Sequence, residues 1–244
     1  MYNQVKIDIW VLYMKEKIYF IPGLMTDERL WKRVIPFLEN EYEIVHIPIP
    51  RSEDFDEIID ILFNEIKEEK INLLGFSLGG YIASYFAITY PNRIKRIFMV
   101  AATPGATNEA EIERRKEKFA IIEKEGFGLS YEKALSLVEE RNQNDKDLIQ
   151  TIIDMFNDLG KNCFISQLTS TFYRKDLFED LIHQDFPIWI FYSEKDRLLN
   201  KQALKKLTTT IHNIKMIKRE GSSHNIPLEV PFDFASNVKS WMNS

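Results

Sequence analysis

A short apolar run that ends in closely spaced glycines constrains the fold of this chain more than any other feature. Residues 71–74 predict a buried strand, which leads directly into the sequence Gly75-Phe76-Ser77-Leu78-Gly79-Gly80 and then into a helical pattern. A sharp turn from a strand into a helix leaves no room for side chains two residues before and after its central residue. We therefore predict a strand–turn–helix unit that presents Ser77 at its tip.

The rest of the chain alternates short apolar runs with longer helical patterns. Strands are predicted at 18–21, 42–49, 94–102, 187–192 and 214–217, and a final helix at 232–242. Alternation of this kind is typical of a mainly parallel sheet that is flanked by helices. A length of 244 residues is sufficient for one such domain.

The stretch from 105 to 183 departs from this alternation. It predicts only helices, at 109–124, 130–142, 145–158 and 164–181. We interpret residues 1–104 and 184–244 as an α/β core, and residues 105–183 as an inserted helical cap, or lid. The alternative is a helical appendage that has no catalytic role. Six aromatic side chains of this stretch either line a pocket or belong to the core: Phe119, Phe127, Tyr131, Phe156, Phe172 and Tyr173.

Charge and cysteine content argue against two classes of protein. The net charge is −5 and the basic residues form no patch in the sequence, so no nucleic-acid partner is expected. Cys163 is the single cysteine, and the four histidines are scattered, so no metal site is expected. Cys163 is predicted to be a small buried apolar residue.

The amino terminus carries no targeting signal that we recognise. The apolar run 9–13 is too short for a membrane span, and a basic start and a cleavage site are missing. We expect a cytoplasmic protein without membrane association, as a monomer or homodimer. Because Met14 stands just before the first predicted core strand, we also predict that residues 1–13 are a dispensable extension and that Met14 is the true start.

Two further side chains have the chemistry that would activate a serine hydroxyl. His224 lies in a small-residue loop after the last predicted strand, where it is a candidate general base for Ser77. Asp196 follows the preceding strand and is the candidate carboxylate that orients the imidazole, in preference to Glu194. The order Ser, Asp, His along the chain is the order used with a serine at such a turn.

Acyl chemistry at Ser77 also requires hydrogen-bond donors for a developing oxyanion. One donor is expected from the backbone N–H of Leu78, directly after the serine. The second is expected from the loop Pro22–Met25, where we choose the N–H of Leu24.

Four sequence blocks together resemble the α/β-hydrolase superfamily over nearly the whole chain. They are Phe20-Ile21-Pro22-Gly23-Leu24-Met25-Thr26-Asp27, Leu74-Gly75-Phe76-Ser77-Leu78-Gly79-Gly80, Tyr192-Ser193-Glu194-Lys195-Asp196, and the stretch from Ser223 to Pro231. The resemblance implies a helical cap between the sixth and seventh strands, catalytic roles for Ser77, Asp196 and His224, and no cofactor. It departs at the oxyanion loop, where many members have His-Gly and this chain has Pro22-Gly23.

The expected function is hydrolysis of a small carboxylic ester through an acyl-serine intermediate. The same triad would also serve a thioesterase, an acyltransferase, a C–C hydrolase or a lyase, because the fold and the triad do not select the reaction. A ligand-binding sensor that keeps a vestigial triad is an alternative from another class.

Overall fold

Six parallel strands form the sheet at the centre of the computed structural model, which describes residues 15–207 and 213–244. The strands are β1 (Glu16–Ile21), β2 (Tyr42–His46), β3 (Ile71–Phe76), β4 (Ile94–Val100), β5 (Ile188–Ser193) and β6 (Ile214–Arg219). Their order across the sheet is β2-β1-β3-β4-β5-β6. The chain reverses its direction of winding between β1 and β3, and in open α/β sheets ligands bind beyond the carboxyl ends of the strands at such a point.

Helices cover both faces of this sheet, as the sequence predicts, and the predicted fold class is confirmed. The α-helices of the described residues are α1 (Ile35–Leu38), α2 (Phe55–Glu65), α3 (Leu78–Thr89), α4 (Glu109–Glu125), α5 (Tyr131–Ser136), α6 (Lys146–Ser170), α7 (Phe178–Ile182), α8 (Lys201–Lys205), α9 (Ile226–Glu229) and α10 (Pro231–Met242). Short 3-10 helices occupy Glu28–Trp31, Pro91–Arg93, Glu140–Asn142 and Thr171–Tyr173.

Alternation along the strands divides the apolar core into two layers. In β1, Tyr19 and Ile21 point to the layer that includes α2 and α3, whereas Ile18 and Phe20 point to the layer that includes α10. Successive side chains of a strand point to opposite faces, so a strand buried on both faces is apolar at almost every position. This accounts for the continuous apolar runs from which the strands are predicted.

The helices α4 to α7 lie between β4 and β5, so the predicted insertion is helical. Its helices differ in how they contact the rest of the protein. Leu148, Ile149 and Met155 of α6 are fully buried in the same apolar cluster as Phe20 and other side chains of the sheet. By contrast, α4 has no buried residue. The division into core and cap at residues 105 and 183 remains a prediction.

The structure differs from some predicted boundaries in detail. The predicted break between the helices 145–158 and 164–181 is confirmed, because α6 consists of two helices that meet at Gly160, whose backbone is non-helical (φ 80°, ψ 171°); the second helix ends at Ser170 and not at residue 181. Asp54 caps the amino terminus of α2, because its carboxylate accepts the Asp56 N–H at 2.8 Å. The Ser52 hydroxyl accepts the Asp54 N–H at 3.0 Å.

Two further predictions concern the residues that precede β1 and the absence of a membrane-spanning segment. The predicted extension 1–13 and the start at Met14 lie outside the described residues. Within 15–207 and 213–244, the helices are too short or too polar to span a lipid bilayer.

Candidate active site

The turn between β3 and α3 holds Ser77 in a conformation that few residues adopt. Its backbone has φ 51° and ψ −114°, outside the regions that an L-residue prefers. A Cβ at Gly75 would lie 2.1 Å from the Gly79 carbonyl oxygen, and a Cβ at Gly79 would lie 2.2 Å from the Pro22 carbonyl oxygen. Only glycine fits at either position. The close packing of backbone that these glycines allow holds Ser77 in its strained conformation.

The structure brings the three predicted side chains of the triad together. His224 Nε2 lies 3.0 Å from Ser77 Oγ, and His224 Nδ1 lies 2.7 Å from Asp196 Oδ2. Because a carboxylate accepts hydrogen bonds and does not donate them, the shorter contact assigns a proton to Nδ1. The lone pair of Nε2 then faces the serine hydroxyl.

Burial of Asp196 limits what its carboxylate can contact. The residue is 0 % exposed, and its Oδ1 accepts the Leu198 N–H at 2.8 Å. The rejected alternative, Glu194, pairs instead with Lys218 at 3.0 Å, with about half of its side chain exposed. The structure therefore places Asp196, and not Glu194, against the imidazole.

Two other histidines lie elsewhere, and the third falls outside the described residues. His46 Nδ1 lies 3.2 Å from Trp31 Nε1, and His183 Nδ1 lies 2.6 Å from the Glu179 carbonyl oxygen. His212 belongs to residues 208–212, which the structure does not describe.

The two predicted oxyanion donors border the cavity that contains Ser77. Leu78 is the first residue of α3, so its N–H has no acceptor within the helix. Leu24 lies in the loop after β1 and also lines the cavity. The N–H of the next residue, Met25, donates at 2.8 Å to Oε1 of Gln167, a buried side chain of α6. Since the Met25 N–H has this partner, Leu24 is the better placed of the two as a donor.

A cavity of about 490 Å³ contains Ser77 and His224. One wall is apolar and comes from the insertion, with Leu129, Leu137, Ile152, Phe156, Phe164 and Leu168. An apolar cavity with a few convergent polar groups is typical of a site for a small molecule. Charged side chains also line the cavity.

The six aromatic residues of the insertion have different positions. Phe156 lines the cavity and also contacts the rings of Phe127 and Phe164. Phe119, Phe127 and Phe172 belong to the same ring cluster around Phe164 but do not line this cavity. The remaining two are exposed, Tyr131 to 43 % and Tyr173 to 69 %. Of the six, Phe156 therefore fits the prediction of a pocket residue, whereas the two tyrosines are neither core residues nor part of this cavity.

Glu139 of the insertion contacts the loop that carries His224, and no local pattern in the sequence predicts this contact. Its Oε1 accepts the Ser222 N–H at 2.9 Å, and its Oε2 lies 3.3 Å from Arg219 Nη2. Both side chains of this ion pair are only 10 % exposed. Burial alone would raise the pKa of Glu139, but the Ser222 N–H, Arg219 and Arg141 together lower it.

Further hydrogen bonds extend this network to the residue next to His224. The Ser193 hydroxyl donates to the Ser223 carbonyl oxygen at 2.6 Å, and Arg219 Nη1 donates to Ser193 Oγ at 2.8 Å. The Ser223 hydroxyl donates to Glu229 Oε1 at 2.6 Å, and the Glu139 N–H donates to Glu229 Oε2 at 2.7 Å. The backbone on the amino-terminal side of His224 is therefore held by buried or nearly buried groups from β5, β6, α9 and the insertion.

Cys163 is buried, as predicted, and burial raises the pKa of its thiol. It lies in a small apolar cluster with Met25, Phe164 and Leu168. Within the described parts of the chain, no group of three or more His, Cys, Asp or Glu side chains could hold a metal ion.

Comparison with known proteins shows the family to which this chain belongs. A family profile described as "alpha/beta hydrolase fold" matches residues 22–231. The chain is 30% identical over 98 residues to a pimeloyl-acyl-carrier-protein methyl ester esterase of Proteus mirabilis, a match that covers 37% of this chain and 38% of the esterase. It is 22% identical to the bovine (Bos taurus) monoacylglycerol lipase ABHD6, over 94% of this chain and 78% of the lipase.

A solved structure shares the fold over nearly the same extent. A thermophilic esterase from Thermogutta terrifontis superposes with a TM-score of 0.80 at 18% identity, covering 94% of this chain and 90% of the esterase. At this identity the likeness concerns the fold alone. The family profile spans most of the chain, including the turn at Ser77 and the loop at His224. The chain therefore belongs to the α/β-hydrolase family of enzymes.

Proposed function

We propose that this enzyme hydrolyses a small carboxylic ester through an acyl-serine intermediate. The observation that carries the proposal is the unbroken line of contacts from Asp196 through His224 to Ser77, at 2.7 and 3.0 Å. The names of relatives, which include an ester esterase and a lipase, support ester bonds as the target.

In the first half of the reaction, Ser77 Oγ attacks the ester carbonyl carbon while His224 Nε2 takes the hydroxyl proton. The carbonyl oxygen becomes an oxyanion, which the N–H groups of Leu24 and Leu78 stabilise. Asp196 stabilises the imidazolium that forms and keeps the ring in its orientation. When the tetrahedral intermediate collapses, the alcohol leaves with the proton from Nε2, and the acyl group remains on Ser77.

In the second half, water replaces the alcohol. His224 Nε2 takes a proton from the water as its oxygen attacks the acyl carbon, and the same donors hold the second oxyanion. Collapse returns the proton to Ser77 Oγ and releases the carboxylic acid. Phe76 packs against the imidazole, with ring centroids 5.2 Å apart, and limits how far the ring can turn between the two steps.

Replacement of the nucleophile tests this proposal. We expect Ser77→Ala to reduce kcat for a short p-nitrophenyl ester by at least about 10⁴-fold, because the remaining groups supply no nucleophile. A matched control is Ser236→Ala, since Ser236 is an exposed serine of α10 whose hydroxyl donates to the Phe232 carbonyl oxygen of its own helix. Activity retained in Ser77→Ala, with the fold intact by circular dichroism, would defeat the proposal.

Trapping the intermediate separates hydrolysis from the other reactions of such a triad. A fluorophosphonate should label the wild type at Ser77 and leave Ser77→Ala unlabelled. Mass spectrometry of the acyl-enzyme, chased with water alone or with an added alcohol or thiol, then tells a hydrolase from an acyltransferase. Labelling without turnover of any ester would favour the sensor alternative.

The remaining expectations from the sequence are part of this proposal. We infer that residues 105–183 act as a cap, which is supported by the apolar wall that the insertion contributes to the cavity. We also propose a small-molecule ester as the only partner required for activity, and a cytoplasmic location. Size-exclusion chromatography and fractionation of native cells test the oligomeric state and the location.

A further inference from the structure

The cavity at Ser77 is lined by an excess of positive charge. Among the described residues, its charged lining consists of Glu111, Arg114, Arg115, Lys118, Arg174 and Arg197. Arg197 donates to the Ser136 carbonyl oxygen, on the rim beside Asp196. The other four cations belong to α4 and to the segment just after Thr171–Tyr173. They are therefore on the side of the cavity formed by the insertion.

The charges of these four cations are poorly compensated. Arg115 Nη1 donates to the Thr107 hydroxyl at 2.9 Å and to the Thr171 carbonyl oxygen at 3.1 Å, and both of these acceptors are neutral. Arg174 places its guanidinium 4.6 Å from the centroid of the Tyr81 ring, and its buried Nε has no acceptor among the residues that the structure describes. Within the described residues, no acceptor lies within hydrogen-bond distance of Lys118 Nζ.

The single acid of this lining does not balance them. Glu111 lies 4.0 Å from Arg114, which is the most exposed of the arginines in this group, with 68 % of its side chain accessible. No carboxylate of residues 15–207 and 213–244 forms an ion pair with Arg115, Lys118 or Arg174, although Glu111 acts on Arg115 and Arg174 from a greater distance and partly offsets the lowering of their pKa.

Burial and mutual repulsion lower the pKa of three of these cations. The pKa of Lys118 is lowered by burial, followed by repulsion from Arg115 and Arg114, although the residue as a whole is exposed to solvent. Burial also lowers the pKa of Arg115, and burial together with Arg115 lowers the pKa of Arg174 to about 10. Like charges gathered in a partly desolvated cavity do not stabilise a fold. Ionisable groups whose pKa is shifted in this way are concentrated at functional sites.

We propose that the substrate carries, besides its ester, an anionic group that binds to Arg115, Lys118 and Arg174 on the insertion side of the cavity. The group is a carboxylate or a phosphate, since both present the paired oxygens that a guanidinium and an ammonium recognise. This inference rests on the proposed ester hydrolysis and adds the substrate class. The apolar wall of the same cavity would contact the carbon chain between the anion and the ester.

Three esters of matched length test the inference. They are p-nitrophenyl hydrogen adipate, its neutral methyl ester, and p-nitrophenyl 5-phosphonopentanoate. We expect the wild type to have a kcat/KM at least about tenfold higher for one of the anionic esters than for the neutral one. A preference for the adipate ester would identify the anionic group as a carboxylate, and a preference for the phosphonate would identify it as a phosphate. Equal values for all three would overturn the inference.

Variants of α4 connect this preference to a particular side chain. Lys118→Gln should lower the ratio of anionic to neutral kcat/KM about fivefold, and Lys118→Glu should lower it further. Lys116→Gln is the matched control, because Lys116 is on the same helix but pairs with Glu113 at 2.8 Å and does not line the cavity. A ratio that Lys118 variants leave unchanged, or that Lys116→Gln lowers equally, would contradict the inference.

Binding without turnover separates this inference from the proposed function. Adipate and inorganic phosphate should raise the melting temperature of the wild type, and the rise should be lost in Lys118→Glu. If none of the three esters is cleaved but this pattern holds, ester hydrolysis fails and the anion site stands. If the esters are cleaved without charge preference and neither anion shifts the melting temperature, the anion site fails and ester hydrolysis stands.

Discussion

Removal of the Glu139 side chain should weaken both the fold and the position of the loop that carries His224. Glu139→Ala deletes the acceptor of the Ser222 N–H and leaves Arg219, of which only 10 % is exposed, without its ion-pair partner. Hydrogen bonds to charged groups contribute about 1.5–3 kcal/mol each. Breaking a buried pair by removing one partner costs about 3–5 kcal/mol, because the other charge remains buried.

For this nearly buried pair we expect a loss of about 3 kcal/mol in the free energy of unfolding. In a domain of this size each kcal/mol corresponds to roughly 2–4 °C, so the melting temperature should fall by roughly 6–12 °C. The kcat for a neutral p-nitrophenyl ester should also fall, since Ser222 is two residues from His224. Urea denaturation and steady-state kinetics measure the two effects.

A double-mutant cycle assigns this loss to the ion pair. Glu139→Ala, Arg219→Met and the double variant should give a coupling energy of about 1.5–3 kcal/mol. Glu113→Ala is the control, because Glu113 pairs with Lys116 on the exposed face of α4 and its removal should cost less than about 1 kcal/mol. A coupling energy below about 0.5 kcal/mol would refute the reasoning, because the two side chains would then act independently.

Two further predictions concern the core and acid stability. Ile149→Ala should lower the free energy of unfolding by about 3 kcal/mol, because Ile149 is fully buried in the cluster shared with the sheet. Its control is Ile121→Ala on α4, which should lower it by less than about 0.5 kcal/mol because Ile121 is 44 % exposed. Equal melting temperatures of the two variants would argue against a core shared by α6 and the sheet. Hydrogen bonds from Lys17 and Tyr19 lower the pKa of Glu68 from 4.5 to about 2. A lowered folded-state pKa stabilises the protein above the unfolded value, so the stability difference between wild type and Glu68→Gln should be complete above pH 4.5 and disappear as the pH falls towards 2; a difference that persists at pH 2 would count against this assignment.

The positions of Ser77, Asp196 and His224 could be predicted because each has a local signal in the sequence. Ser77 lies between glycines that no other residue can replace, and the other two directly follow apolar runs that form β5 and β6. In a parallel sheet the carboxyl ends of the strands lie at one edge, so local signals are sufficient to predict that these side chains meet.

Glu139, Gln167 and Lys118 could not be predicted in the same way. Glu139 and Ser222 are 83 residues apart, and Met25 and Gln167 are 142 apart. No spacing rule connects such residues, because their contact depends on how the insertion packs on the sheet. In the sequence, Lys118 is one of many charged residues on a polar helix, and only the cavity distinguishes it from Lys116.

The apolar cluster that α6 shares with the sheet determines how a substrate reaches Ser77. Lifting the whole insertion would expose Leu148, Ile149 and Met155 to water, at a cost of about 5 kcal/mol or more. At that cost, fewer than roughly one molecule in a thousand would have the insertion lifted off the sheet at equilibrium. Because no residue of α4 is fully buried, displacing this helix is expected to cost less, chiefly the ring contacts of Phe119 and the hydrogen bonds of Arg115. The entrance is therefore expected to open at α4, so that the helix that bears Lys118 both admits the substrate and selects its charge.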